Sequence, residues 1–317
     1  LAAAALAAGA GLAADRPWSA PAGPALEAAL IQGNFSQDEK WDPAFRGAIR
    51  ERYARLTLEH TGADLIVWPE TAIPQLYHRI APGYLAPLAE RVRRAGGALV
   101  LGVPYREPGD SGEGPLHNSV AVLGPERAFY HKRRLVPFGE YVPFRDLLGR
   151  SLDFLGAPMA DYTPGGPGRP VPVGDGLRLG VSICYEAAYP RVAAQSAAGA
   201  DLLVNVSNDA WFGASLAPHQ HLQMARQRAA EARRWLVRAT NTGITAVIDP
   251  RGRVAASAAA FETAVVTERV EPRRGTTPYV ALGDGPLLAL LALALAGARL
   301  EPLRRRAAAR AAARTAR

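Results

Sequence analysis

Leu177-Arg178-Leu179-Gly180-Val181-Ser182-Ile183-Cys184-Tyr185-Glu186 is an apolar run that ends on the only cysteine of a 317-residue chain. Its middle reads as a strand over Arg178–Cys184, too short and too apolar for a surface helix. One cysteine allows no internal disulfide, so the thiol is either a buried filler, packing like a small apolar residue, or a nucleophile. Two more runs end the same way. Asp64-Leu65-Ile66-Val67-Trp68-Pro69 leads into Glu70, and Ala128-Phe129-Tyr130-His131 leads into Lys132. A carboxylate, an ammonium and a thiol thus each follow a strand, which is where α/β folds place their chemistry.

Lys132 is informative because the chain avoids lysine. Of 37 basic residues only Lys40 and Lys132 are lysines. Arginine is the default here, yet position 132 keeps a compact ammonium that can approach a developing oxyanion or change its protonation. Chance placement is the alternative.

Working outward, strand-like runs alternate with helical patterns. Strands are expected at Leu26–Gln32, Leu65–Trp68, Ala98–Val103, Asp201–Val206 and Ala264–Arg269. Hairpins are expected for Ser119–Leu123 with Ala128–His131, and for Gly243–Asp249 with the strand after Pro250-Arg251-Gly252. Helices are expected at Pro43–Thr61, Tyr84–Ala95, Pro190–Ala198 and His219–Arg238. There is no internal repeat. Mixed strands with intervening helices argue for a layered α/β sandwich, in one large catalytic domain over residues 24–272.

At 49% hydrophobic and 21% charged, the chain builds a core and is not globally disordered. Its net charge of +8 does not point to nucleic acid. Residues 299–317 hold seven arginines against one glutamate, which leaves six of those charges in a basic tail. The arginines of the body are not interleaved with aromatics as a nucleic-acid platform requires.

Both ends read as membrane segments. From Pro278 to Ala298 the only formal charge is Asp284, and Leu287–Ala296 is all leucine and alanine. That stretch just reaches the length of a transmembrane helix. Asp284 and Pro286 weaken this reading, and a buried or interfacial helix is the alternative. The arginines after it place the tail in the cytoplasm and the catalytic domain on the outer face of the cytoplasmic membrane. Leu1–Ala14 is only alanine, leucine and glycine. It fits a signal peptide poorly, and residues 1–18 are expected to be the end of a transmembrane helix, with Trp18 at the interface. The loop Val136–Thr163 is long and apolar, with Leu147, Leu148, Leu152, Phe154, Leu155 and Met159; it reads as a lid or as an arm touching lipid. Asn208-Asp209-Ala210-Trp211-Phe212-Gly213 is a second candidate rim of the site.

These residues resemble the carbon–nitrogen hydrolase (nitrilase) superfamily, and within it the bacterial apolipoprotein N-acyltransferases. The strings that carry the resemblance are Trp68-Pro69-Glu70-Thr71, His117-Asn118-Ser119, Lys132 to Pro143, Ser182 to Glu186, and Asn205 to Phe212. Gln223-Met224-Ala225-Arg226 and Thr240-Asn241-Thr242-Gly243 extend it, so that it covers about residues 24–298. It implies a four-layer αββα sandwich facing the periplasm. It also implies a bundle of transmembrane helices ahead of that domain, most of which this sequence is expected to lack, and one helix after it.

The implied reaction moves an sn-1 acyl chain from a phospholipid to the N-terminal amine of a diacylglyceryl-cysteine apolipoprotein. In it Cys184 is the nucleophile, Glu70 the general base, and Lys132 with the Tyr185 backbone N–H the oxyanion donors. Glu140, Glu186 and Asn118 are supporting candidates. Phe138, Tyr141 and Trp211 are candidates for substrate binding. No metal and no organic cofactor are expected, and His219-Gln220-His221 reads as a helix start rather than a metal pair. The partners are membrane lipid, a phospholipid donor and an apolipoprotein acceptor. The rivals are a membrane-associated amidase of the same superfamily, a soluble amidase or nitrilase, and a non-catalytic membrane scaffold.

Overall fold

The structure is a computed structural model that describes residues 16–109, 114–143 and 161–299. The first half of the chain contributes strands β1 (Ser19–Pro21), β2 (Leu26–Gln32), β3 (Leu65–Val67), β4 (Ala98–Arg106), β5 (Leu116–Leu123) and β6 (Arg127–His131). Between them lie helices α1 (Gln37–Trp41), α2 (Arg46–Leu58) and α3 (Ala86–Arg94). The second half contributes β7 (Val171–Gly174), β8 (Leu177–Ile183), α4 (Pro190–Ala197), β9 (Leu202–Ser207), α5 (Ala217–Ala232), β10 (Leu236–Thr240), β11 (Ala246–Ile248) and β12 (Val254–Ser257). Strands β13 (Ala264–Val270) and β14 (Arg273–Gly275) and helix α6 (Pro278–Leu282) follow.

Two six-stranded sheets form, in the orders β13-β2-β3-β4-β5-β6 and β7-β8-β9-β10-β11-β12. Each has the same plan: an antiparallel edge strand, three parallel strands, then two antiparallel strands. The halves therefore repeat in topology although no repeat is visible in sequence. Glu70 lies just beyond the C-terminal end of β3, in the parallel part of one sheet. Cys184 follows β8, a parallel strand of the other.

The alternation of side chains along each strand makes the layers. Ala28 and Leu30 point between the sheets and share a core with Val181, Ile183, Val204 and Val206. Ala29 and Ile31 point the other way, onto Ile49, Tyr53 and Leu56 of α2 and the Leu88 and Val92 pair of α3. On the far side Leu203 and Leu236 meet Ala197 of α4 and Ala225, Ala229 and Ala232 of α5. The result is helix, sheet, sheet, helix. Both faces of the parallel strands are buried, which is why they read as continuous apolar runs. Truncating Ile183 to alanine in this core costs about 2–5 kcal/mol.

Two sequence expectations are corrected. The helix expected over His219–Arg238 stops at Ala232, where Arg233 adopts a left-handed conformation (φ 51°, ψ 47°). Leu236–Thr240 is instead a buried strand parallel to β9. A glycine normally marks such a stop, and an arginine conceals it. The stretch 278–298 is not one helix. Gly283 (φ 59°) ends α6 after Leu282, and a second helix runs over 285–299. Among the described residues no helix is long and apolar enough to cross a membrane. Residues 1–15, the tail beyond 299 and the apolar loop residues 144–160 lie outside the described residues.

Candidate active site

Glu70 is held by its surroundings on every oxygen. Oε1 accepts from Asn118 Nδ2 at 2.7 Å and lies 3.4 Å from Lys132 Nζ. Oε2 accepts the Asn208 backbone N–H at 2.9 Å, and the Glu70 carbonyl accepts from Lys40 Nζ at 3.1 Å. The chain approaches β4 so closely here that a Cβ on Gly102 would sit 2.5 Å from both Glu70 Cα and the Pro69 carbonyl. Thr71, next in sequence, has φ 46°. A β-branched residue there is strained, which marks a turn fixed by its context.

Lys132 is 1% exposed and lies between two carboxylates. Glu140 Oε1 is 2.8 Å from Nζ and also accepts from Asn118 Nδ2 at 2.7 Å. The other Glu140 oxygen caps the Val136 N–H at 2.8 Å. Burial works against the Lys132 charge, but Glu70, Cys184 and Glu140 outweigh it, and the ammonium is held well above the usual lysine range. Lys132 is therefore a fixed cation, suited to holding an oxyanion.

Cys184 opens a short 3-10 turn, Cys184–Ala188, with φ 49°. The positive φ lifts the thiol out of the strand line at the end of β8. The residue as a whole is half-buried. Burial and the Glu70 charge push the thiol up to about 12, against the pull of Lys132. At neutral pH the group is a thiol, so nucleophilic attack needs the proton to leave for a nearby base as the bond forms.

Two buried clusters fix the cysteine. Glu186 is fully buried and accepts four hydrogen bonds: Arg133 N–H and Arg134 N–H on Oε1 (2.7 and 3.1 Å), Ile183 N–H and Tyr130 OH on Oε2 (both 2.9 Å). It ties the turn that carries Cys184 to the segment that carries Lys132. His221, from α5, makes a 2.9 Å contact from Nε2 to the Cys184 carbonyl and a 3.0 Å contact from Nδ1 to Asp209 Oδ1. Asp209 in turn accepts from Ser207 Oγ at 2.8 Å and pairs with the buried Arg238 at 2.8 Å. Burial alone would raise the Asp209 carboxyl, but Arg238 and His221 hold it well below the usual range.

The structure brings Glu70, Lys132, Glu140 and Asn118 into one buried group, with Cys184 inside its electrostatic reach. Glu186 lies beneath the cysteine turn. Phe138, Tyr185 and Trp211 are instead exposed side chains, with Tyr141 half-buried. Tyr185 stacks edge-on against Tyr189 at 5.1 Å. Sequence reasoning does not pick out Lys40 or Arg238 as neighbours of the chemistry and reads His221 as a helix start, whereas Asn208 opens the stretch expected as a rim of the site. The scarcity of lysine was the signal that could have found Lys40. Nothing local marks Arg238, which is one arginine among many. Both His221 ring nitrogens are occupied by protein partners, and among the described residues no group of three or more His, Cys, Asp or Glu could hold a metal ion.

A family model described as carbon-nitrogen hydrolase matches residues 27–279. The chain belongs to the carbon-nitrogen hydrolase family. An apolipoprotein N-acyltransferase from Pseudomonas syringae pv. tomato is 45% identical over 283 residues, covering 89% of this chain and 56% of that protein. Another from Azotobacter vinelandii is 45% identical over 292 residues, covering 92% of this chain and 56% of that protein. The chain thus spans about half the length of the curated relatives it matches. Among solved structures, Saccharomyces cerevisiae Nit3, a member of the nitrilase superfamily, superposes with a TM-score of 0.56 at 20% identity, covering 78% of this chain and 90% of that one. That likeness shows a shared carbon-nitrogen hydrolase fold.

Proposed function

We propose that this chain is the catalytic part of an apolipoprotein N-acyltransferase. The observation that carries the reading is the Glu70–Lys132 pair, 3.4 Å apart, whose charges both act on the Cys184 thiol, in a chain whose relatives bear that name. Glu70 takes the Cys184 proton as sulfur attacks the sn-1 ester carbonyl of a phospholipid. The resulting oxyanion is held by Lys132 Nζ and the Tyr185 N–H, at the open start of the 3-10 turn. Collapse breaks the ester C–O bond, and Glu70 returns the proton to the departing lysophospholipid oxygen. The acyl group stays on Cys184 as a thioester. The α-amine of a diacylglyceryl-cysteine apolipoprotein then attacks. Glu70 takes its proton, the C–S bond breaks, and the amide leaves as the thiol is restored.

Glu140 and Asn118 orient Lys132 and Glu70, and Glu186 holds the cysteine turn. The exposed rings of Phe138 and Trp211, with Tyr141, line the approach for acyl chains. The helix over 285–299 exposes Leu287, Leu288, Leu290, Leu291, Leu293 and Leu295, each more than half accessible. Such a surface suits lipid rather than water. In this reading the apolar surface of the 285–299 helix ties the domain to the bacterial inner membrane. The catalytic domain lies on the periplasmic side of that membrane.

The test is transfer from phosphatidylethanolamine to a diacylglyceryl-cysteine peptide in detergent, read by peptide mass. The chain should acylate the peptide amine, and Cys184→Ala should abolish the product while remaining folded. Hydrolysis of simple amides with no transfer from the phospholipid would favour an amidase instead.

A further inference from the structure

The only two lysines of the chain converge on one glutamate. Lys132 reaches the Glu70 carboxylate, and Lys40 reaches the Glu70 main chain from the opposite side of the sequence. Lys40 is 2% exposed, while its neighbour Trp41 is 47% exposed, so α1 turns the ammonium inward. The helix that carries it is short but fixed. Ser36 caps it through a reciprocal box with Glu39. Gln37 Oε1, one turn back, accepts from Asn208 Nδ2 at 3.1 Å, and Asn208 is the residue whose backbone N–H binds Glu70 Oε2.

An ammonium has three donors. Lys40 spends one on the Glu70 carbonyl, and among the described residues it has no carboxylate within ion-pair distance, whereas Lys132 has two. A buried cation without a paired anion is costly and is retained where its charge is used. The charges that act on it are those of Glu70 and Cys184. Without Lys40, the group of Glu70, Glu140 and Lys132 carries a net negative charge before any proton moves, which disfavours a thiolate.

We propose that Lys40 is a second cation of this active site, a positioning residue that anchors the Glu70 backbone and balances the charge against which Cys184 gives up its proton. The inference rests on the reading of Cys184 as nucleophile and Glu70 as its base. Burial holds the Lys40 ammonium down, to about 8, with Glu70 and Cys184 pulling it upward. The group is therefore sensitive to changes in its neighbours.

The experiment is the pH dependence of Cys184 alkylation by iodoacetamide in the full chain. Lys40→Met should slow alkylation at pH 7, where the Lys40 ammonium of the parent chain is still charged, about tenfold, the effect of roughly one pH unit from a nearby charge. Lys40→Arg, which keeps the charge, should recover the rate to within about threefold, an outcome that a packing role does not predict. A folded Lys40→Met protein with the wild-type profile overturns the inference. Glu70→Gln separates this failure from failure of the underlying reading. If that variant also leaves the profile unchanged, Glu70 is not the base; if it alters the profile and Lys40→Met does not, only the role of Lys40 falls. Should Lys40→Met not fold, NMR of ε-13C-lysine in the otherwise unaltered chain decides. It gives two signals, assigned with Lys132→Arg. The Lys40 signal should titrate well below the ordinary lysine value of about 10.4 and move lower still in Glu70→Gln. A Lys40 signal that titrates like free lysine, or ignores Glu70→Gln, refutes the proposal.

Discussion

Replacing Glu186 by glutamine changes one oxygen into an NH2 group and removes a charge, at a site where four donors converge. The amide has two ways to sit. With nitrogen toward Arg133 and Arg134, two backbone N–H groups face a donor. With nitrogen toward Ile183 and Tyr130, the tyrosine hydroxyl, which already accepts from Arg133 Nε at 3.3 Å, can turn and accept, so that the Ile183 N–H is the one backbone donor orphaned while the hydroxyl proton loses its carboxylate acceptor. The second arrangement wins. One orphaned buried N–H costs about 1–3 kcal/mol, and the two bonds that remain lose their charge assistance. Relief of a buried carboxylate, whose protonation burial already favours, offsets part of this. The net is about 2 kcal/mol, or roughly 4–8 °C in Tm for a domain of this size. Because Glu186 joins the Cys184 turn to the Lys132 segment, the same change loosens Cys184, the proposed nucleophile, relative to Lys132, its proposed oxyanion donor. A misplacement of about 1 Å costs on the order of 100-fold in rate. Thermal melting by circular dichroism and the peptide acylation assay measure the two effects. A melt unchanged within 1 °C (roughly 0.3 kcal/mol) together with wild-type acylation would show that the Glu186 cluster is not what holds the cysteine turn.

Other expectations follow from single positions. Cys184 sits at φ 49°, so Cys184→Gly should be more stable than Cys184→Ala by about 1 kcal/mol, the reverse of the usual order within a helix or strand; equal urea midpoints would remove the strain from the account. Gly102→Ala would push a methyl into Glu70 Cα and the Pro69 carbonyl, costing about 1–3 kcal/mol and most of the activity; an active, equally stable variant contradicts the close approach. The Asp209 carboxyl is held low in the folded state by Arg238 and His221 against burial, so its contribution is complete above its unfolded value of about 3.9 and fades as pH falls through the folded value. Urea melts from pH 6 to pH 3 should thus lose stability less steeply in Asp209→Asn, which at neutral pH is weaker by about 3–5 kcal/mol because Arg238 is left buried without its anion. Parallel acid slopes would refute the assignment.

Much of this was legible in the linear chain, for physical reasons. Parallel strands buried on both faces leave unbroken apolar runs, and Glu70 and Cys184 follow two of them, β3 and β8, while Lys132 follows the antiparallel edge strand β6. What hid was whatever depends on a main-chain turn without a glycine or on packing between distant segments. Arg233 ends α5 in a left-handed conformation, so a helical period seemed to run on into β10. Arg238 looked like another surface arginine until the sheet buried it beside Asp209. His221 read as part of a helix start, because its contact with the Cys184 carbonyl joins residues 37 apart. Lys40 was visible only as a rarity in composition. Its target, the Glu70 carbonyl, is 30 residues away and is a backbone atom that no side-chain motif records.

The central claim is a covalent acyl group on one sulfur. Intact-protein mass spectrometry after brief incubation with phosphatidylethanolamine, without acceptor and with an acid quench, reads it directly. The account predicts a single acyl adduct that maps to Cys184, is released by hydroxylamine and disappears when a diacylglyceryl-cysteine peptide is added. An adduct that persists in Cys184→Ala, or an unmodified Cys184 in protein that is transferring acyl chains, would contradict it.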